Sequence, residues 1–381
     1  MSITIKSPKL MIPGPMDCPK EVLTRLGHQV FPHYDAPTNF PAFYNELTRK
    51  MKPIFGLGDD EGWVFVPNGS GTIAVNMALA SLLTPEDDVL VVNNGGLGEY
   101  AKKNLDSIGV PFTFVKGEWG KAIDPDAVRK AMEKKRHKFI YMTHNESSTA
   151  IVNPIPPIGE IAREFDALLI TDSISAVGGV VCDMGENGAD AICGASQKCF
   201  ELPPGLAPVA VSDRAWKYME NMKNRRVPFI LDLMAWRQAA IDQRESHPQP
   251  VTGETTMLYA LDWVVDQILA EGMDTRQERF RAAGNRLREG MKEFGFSMSA
   301  DPADASPVVT DFYVPEAFDS NDIRNWYLET HNTMVGYGFA HVDKKTGRNT
   351  SFRIAHFGES ATRESVDHMI AITREWAEKH L

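Results

Sequence analysis

Seven short apolar runs punctuate the first 213 residues, at 63–66, 89–92, 111–115, 139–142, 168–171, 191–193 and 209–211. Several are β-branched and apolar without alternation, the pattern of strands buried on both faces of a parallel sheet. Segments with a helical period separate most of them. Ala74, Met77, Ala78, Leu79 and Leu82 fall on one helix face, and Asp124 followed by Pro125 predicts a capped helix over 125–134. A further helix is predicted over 158–165, after the proline-rich turn at 153–157. Strand–helix alternation at this spacing implies an α/β domain around a mostly parallel sheet. Beyond residue 213 the strand pattern stops, and Met257, Leu258, Ala260, Leu261, Val264, Val265 and Ile268 draw a stripe on long helices within 254–294. From 295 a second pattern begins, with strands expected at 306–313, 333–335 and 351–356 and helices at 322–329 and 361–379, the first capped by Ser320 or Asn321. The chain therefore reads as a Pro- and Gly-rich arm (1–20), a large α/β domain (21–294) and a small α+β domain (295–381).

Composition narrows the function more than the fold. At 381 residues the chain exceeds one ordinary core. A net charge of -11 without a basic block argues against nucleic acid or an anionic membrane as partner. No apolar stretch approaches the ~20 residues of a membrane span, and the two N-terminal lysines precede no secretory apolar run. Cys18, Cys182, Cys193 and Cys199 form no CxxC, which fits free thiols in a reducing, cytoplasmic compartment. Ten histidines include no HExxH, so no metal site is expected.

The chemistry should lie just past the strands, because ligands of an open parallel sheet bind at its carboxyl edge. Run 63–66 leads into Pro67-Asn68-Gly69-Ser70-Gly71-Thr72 and then a helix. A Gly/Ser loop opening a helix offers free N–H groups and a positive dipole end to a phosphate; a plain turn with an N-cap has the same pattern. Run 168–171 ends in Asp172. A carboxylate there is costly without a cation; it reads as a loop cap, or as the partner of a protonated ring nitrogen or a metal. Run 191–193 is followed by Gly194-Ala195-Ser196-Gln197-Lys198 and then Pro203-Pro204-Gly205. A lysine held between an apolar strand and a Pro-Pro-Gly turn is desolvated, and desolvation turns an amine into a nucleophile. Lysine, acid and phosphate cup together describe a pyridoxal-phosphate site.

These residues carry a resemblance that runs nearly end to end, from Pro13-Gly14-Pro15 to Arg353-Ile354-Ala355-His356-Phe357-Gly358. Ser196-Gln197-Lys198 with Pro203-Pro204-Gly205, and the block Thr143 to Thr149, are its most specific parts. The chain resembles the fold-type I, class V aminotransferases of the alanine–glyoxylate and serine–glyoxylate type. The resemblance implies pyridoxal 5'-phosphate as cofactor and a ping-pong exchange between a small amino acid and a 2-oxo acid such as glyoxylate or pyruvate. It implies that Lys198 holds the cofactor and shuttles protons while Asp172 faces its ring nitrogen. Ser70, Gly71, Thr72 and Gln197 would bind the phosphate, and Ser147 the ring hydroxyl. Arg353 would clamp the substrate carboxylate, with Gly14 beside it. Thr252 would reach the neighbouring subunit's phosphate, which implies a homodimer with shared sites.

Three positions depart from the family. Leu97 stands where an aromatic usually stacks on the cofactor, and Gln249 where a tyrosine is usual. The segment Phe31-Pro32-His33-Tyr34-Asp35 replaces a Gly-His-Arg motif. Tyr34 and His356 are thereby candidate substrate contacts of the kind found in pyridoxamine–pyruvate aminotransferase, although Ser70 stands where that enzyme carries a glutamate. A cysteine-dependent lyase is disfavoured because no cysteine follows Cys199. A binding module without turnover is disfavoured by the joint presence of Lys198, Asp172 and Arg353.

Overall fold

A computed structural model describes residues 7–29, 39–223, 225–339 and 347–381. All seven apolar runs become strands of one sheet: β2 (Trp63–Phe65), β3 (Val89–Asn93), β4 (Phe112–Lys116), β5 (Phe139–Thr143), β6 (Leu168–Asp172), β7 (Ala191–Cys193) and β8 (Val209–Val211). Their order is β2-β8-β7-β6-β5-β3-β4. Only β8 runs against the rest, antiparallel to both β7 and β2. The carboxyl ends of β2, β3, β5, β6 and β7 therefore share one edge.

The uniform apolarity of these runs has a simple cause: alternate residues serve two cores. Leu90, Val92, Ile140, Met142 and Leu169 pack on one face with the helix Phe40–Met51 and the long helix α3 (Thr255–Glu271). Val89, Val91, Phe139, Leu168 and Ile170 pack on the other with α1 (Gly71–Leu82). Every residue of β3 and β5 is buried, and each large aliphatic so placed contributes ~1.5–3 kcal/mol. The predicted cap holds: Asp124 accepts the Asp126 amide ahead of helix Pro125–Lys134. The expected helical stretch past 254 is two helices, α3 and α4 (Met273–Lys292), broken at Gly272 with φ +80°.

A second sheet is built on β9 (Ser297–Met298), β10 (Val309–Tyr313), β11 (Thr333–Tyr337) and β12 (Ser351–Ala355). Helices α5 (Ser320–His331) and α6 (Arg363–His380) cover it, and Phe296, Phe312, Phe352 and Trp376 form its aromatic core. Asp319, rather than Ser320 or Asn321, caps α5, accepting the Asn321 amide at 2.8 Å. Part of the expected arm is a sheet element: Lys9–Met11 forms β1, parallel to β11, giving the order β1-β11-β12-β10-β9. Three residues whose partner lies more than 300 positions away carry no periodicity to betray them.

Candidate active site

Asp172 closes β6 at the shared carboxyl edge. Its main-chain oxygen accepts the His144 amide at 2.9 Å and its Oδ1 the Ile174 amide at 3.1 Å. The Tyr141 hydroxyl, two residues from the end of neighbouring β5, lies 3.5 Å from Oδ2. Burial pushes the carboxyl up to about 6, with the Ile174 amide, the Lys198 amine and the Tyr141 hydroxyl pulling it back. No described cation forms an ion pair with it. A carboxylate held this way is incomplete until a cationic N–H meets it.

Lys198 follows β7 on a turn fixed from several sides. Ser196 Oγ donates to the Pro203 carbonyl at 2.7 Å and accepts the Leu206 amide at 3.1 Å, which closes the Pro-Pro-Gly loop on the strand end. Arg276, reaching in from α4, donates to the Cys199 and Gly178 carbonyls at 3.2 and 2.7 Å and pairs with Glu201. The Lys198 Nζ donates to the Pro13 carbonyl. Burial, aided by the charge of Arg353, pushes its amine down to about 8. A Cβ on Gly14 would stand 2.7 Å from Lys198 Cδ and 2.8 Å from the Gln197 carbonyl oxygen, and Gly14 has φ +97°. The need for glycine is therefore local and explicit.

The anion loop lies over the ends of β6 and β7. Ser70 precedes α1 without spending its side chain on a cap. A Cβ on Gly71 would meet Ile174 Cγ1 at 2.5 Å and Ala195 Cβ at 2.9 Å, so only glycine lets the helix start come this close. Gln197 presents a buried Oε1 without a hydrogen-bond partner. Gly71 is thus brought against Ala195, two residues before Gln197, at the start of a helix whose free amides suit a phosphate.

Leu97 opens the helix α2 (Gly96–Ser107) after β3. Its amide and that of Gly98 both donate at 3.0 Å to Glu146, whose other oxygen takes the Ser148 amide at 3.1 Å. Glu146 is fully buried, so this carboxylate sets where Leu97 sits. Arg353 extends from β12; its Nε donates to the Tyr337 carbonyl at 2.9 Å and Nη1 to the Ser147 carbonyl at 3.0 Å. Phe339 lies 5.0 Å beneath the guanidinium. Gly14, Leu97, Ser147, Lys198 and Arg353 line one cavity of about 410 Å³, together with Arg324, Leu328 and Met334. A larger cavity of about 890 Å³ lies away from this edge, lined by Arg49, Asp59 and Asp60 among others, and shares no lining residue with the first.

Two of the expected residues, His356 and Thr252, do not line this cavity. His356 lies three residues past Arg353, on the opposite face of the strand; its Nε2 meets Thr310 Oγ1 at 2.9 Å and its ring fills the space beside Gly284 of α4. It is fully buried away from the cavity. Thr252 does not line this chain's cavity; its carbonyl accepts Asn68 Nδ2 at 2.7 Å at the root of the anion loop. Tyr34, with His33 and Asp35, lies outside the described residues. Tyr141, Glu146, Arg276 and Arg324 were not singled out from the sequence. Glu146 sits inside the flagged Thr143–Thr149 block; the others are polar positions within strands and helices, where no local pattern marks them.

Residues 18–369 match the family described as aminotransferase class V. An uncharacterized aminotransferase of Methanocaldococcus jannaschii is 30% identical over 96% of this chain and 91% of its own. The (S)-ureidoglycine–glyoxylate transaminase of Bacillus subtilis is 28% identical over 95% of this chain and 88% of its own. A crystal structure of ureidoglycine–glyoxylate aminotransferase from that species superposes with a TM-score of 0.91 at 27% identity, covering 100% of this chain and 95% of that one. The alanine–glyoxylate aminotransferase of Oryctolagus cuniculus is 26% identical over 96% of this chain and 91% of its own.

Proposed function

The chain belongs to the class V aminotransferases, a pyridoxal-phosphate-dependent family, and on that footing we propose that it uses this cofactor to move an amino group from a small amino acid to a 2-oxo acid. Glyoxylate and pyruvate are the acceptors we favour; glyoxylate is named for the Bacillus and rabbit relatives. The observation that carries the reading is the buried Lys198 amine, which forms no ion pair among the described residues, donates to the Pro13 carbonyl and feels the charges of both Arg353 and Asp172. The site also fits the cofactor by what it lacks: Gln197 Oε1 is without a partner, and Asp172 is without an ion-paired cation among the described residues. Pyridoxal phosphate, when bound, supplies an aldehyde and a ring that accepts electron density from the substrate's α-carbon.

The chain's own residues do the rest. With its amine near 8 rather than the usual 10.5, Lys198 is in part a free base at neutral pH, able to attack a carbonyl carbon and to carry a proton. Asp172 would hold the cofactor through its ring nitrogen and keep that nitrogen protonated. Ser70, Gly71, Thr72 and Gln197 would hold the phosphate, and Leu97, set by Glu146, would offer the cofactor an aliphatic surface. Arg353 orients the substrate carboxylate and so presents its α-hydrogen to Lys198. Sharing of sites in a homodimer is part of the proposal, Thr252 being left for a neighbour's phosphate. The pyridoxamine–pyruvate alternative loses one of its two supporting residues, because His356 faces α4.

Lys198→Ala is the direct test. The variant should keep its far-ultraviolet circular dichroism, carry no covalently attached cofactor after borohydride reduction, and lose at least about 10²-fold in turnover. Turnover near that of the unaltered enzyme would end the assignment.

A further inference from the structure

We propose that Arg324 anchors a second carboxylate, so that a four- or five-carbon dicarboxylic amino acid and its oxo acid form one of the two pairs this site exchanges. The inference rests on the aminotransferase reading and deepens it. Among the described residues, the cavity wall carries three cations, Lys198, Arg324 and Arg353, and no carboxylate. Asp311, opposite Arg353 in the strand register, and Glu146 act on Arg353 from behind the wall and line no part of it. A substrate with one carboxylate is met by Arg353 alone, and Lys198 is committed to the chemistry. Arg324 is then a surplus guanidinium facing the same space.

The two arginines are held in the same way. Arg353 donates Nε to the Tyr337 carbonyl and Nη1 to the Ser147 carbonyl. Arg324, on α5, donates Nε to the Val335 carbonyl at 3.3 Å and Nη1 to Asn321 Oδ1 at 2.7 Å. In both, no described protein group accepts from Nη2. Each guanidinium carbon lies 5.7 Å from the centroid of the Tyr337 ring, which puts them no more than about 11 Å apart. Each feels burial, and the charge of Arg324 bears on Arg353. Two tethered, partly desolvated guanidiniums across one aromatic ring make a receptor for two anionic groups joined by a short carbon spacer.

Arg353 bonds to the Ser147 carbonyl and its charge bears on Lys198, so the carboxylate beside the reacting carbon is assigned to it. The distal carboxylate is then left for Arg324, and Asn325, Leu328 and Met334 line the same cavity. The exchange balances without an external oxidant or reductant: the dicarboxylic amino acid becomes its 2-oxo acid as the acceptor oxo acid becomes its amino acid. A short monocarboxylic substrate engages Arg353 without Arg324, which lets one pocket serve both halves of a ping-pong cycle.

The test uses the cofactor-loaded enzyme and two readouts. Calorimetric titration with unreactive succinate and glutarate, against butyrate, should show the dicarboxylates binding roughly 10–100-fold more tightly, the worth of one charge-assisted anchor. In turnover, Arg324→Gln should lower the ratio of kcat/KM for aspartate or glutamate to that for alanine by the same factor, with Arg324→Lys intermediate. Equal binding of succinate and butyrate, or a ratio unmoved by Arg324→Gln, overturns the proposal. If Arg324→Gln does not fold, the titration of the unaltered enzyme decides alone. Should alanine react and no dicarboxylate be preferred, the Arg324 proposal falls and the aminotransferase reading stands. Should no amino acid donate at all, the aminotransferase reading itself falls.

Discussion

Gly14→Ala perturbs the site through one methyl group. The new Cβ would stand 2.7 Å from Lys198 Cδ, 2.8 Å from Lys198 Nζ and 2.8 Å from the Gln197 carbonyl oxygen, at a residue with φ +97°. Two costs add. The backbone conformation penalises any side chain by about 1–3 kcal/mol, and overpacking a tight contact costs about 1–3 kcal/mol more. The lysine tail can swing aside, but the Gln197 carbonyl is main chain on a turn braced by Ser196 and Arg276. Relief therefore comes from moving the amine, and a shift of ~1 Å at a reacting atom can cost ~10²-fold in rate. Gly109→Ala is the control: φ is +70° and nothing lies within 4 Å of its Cβ, so it bears the backbone cost alone. Urea unfolding should place Gly14→Ala about 1–3 kcal/mol below Gly109→Ala. Stopped-flow absorbance with a single amino acid should show the half-reaction slowed ~10²-fold in Gly14→Ala and unchanged in Gly109→Ala. Equal stability losses, together with a half-reaction in Gly14→Ala within about twofold of normal, would refute the steric account.

The buried Lys198 amine has a stability signature. Its folded value of about 8 lies below the 10.5 of the open chain, so unfolding takes up a proton in the window between the two, and stability rises as pH climbs from 8 toward 10.5. In the cofactor-free protein Lys198→Met should add up to about 3 kcal/mol at pH 7 and about 1 kcal/mol at pH 9.5 by urea unfolding; a gain independent of pH would contradict this. Glu146→Gln leaves one oxygen to face the Leu97 and Gly98 amides and sets an NH2 against the Ser148 amide. It should cost about 2–4 kcal/mol in urea unfolding and weaken cofactor retention on dialysis, whereas unchanged retention would show that Leu97 does not depend on this carboxylate.

What the sequence showed, and what it hid, follows from how local each signal is. Short apolar runs bounded by turn residues read as strands, and all seven lie within a residue or two of the strands observed, the edge strand β4 included although it is only partly buried. Asp172 and Lys198 stood out because a charge ending such a run needs a reason. Alternation along β12 already contained the answer for His356: an odd spacing from Arg353 turns it to the other face, and its place after a familiar arginine outweighed that count. Tyr141 was hidden because its ring belongs to the apolar core while only its hydroxyl belongs to the site. Glu146 and Arg276 act by grasping main-chain groups far away in sequence, and Arg324 by facing a cavity assembled from β11, β12 and α5. None of these relations has a local period.

Strand β1 hydrogen-bonds to the second sheet, and two residues beyond its end Pro13 offers its carbonyl to Lys198. Residues 9–13 are thus a short tether running from that sheet straight to the nucleophile. Tilting β11 by a fraction of an ångström tugs the grip on the amine, so reshaping the outer wall for a new substrate also retunes the lysine's reactivity. Anyone redesigning specificity through β11 should expect rate and selectivity to change together.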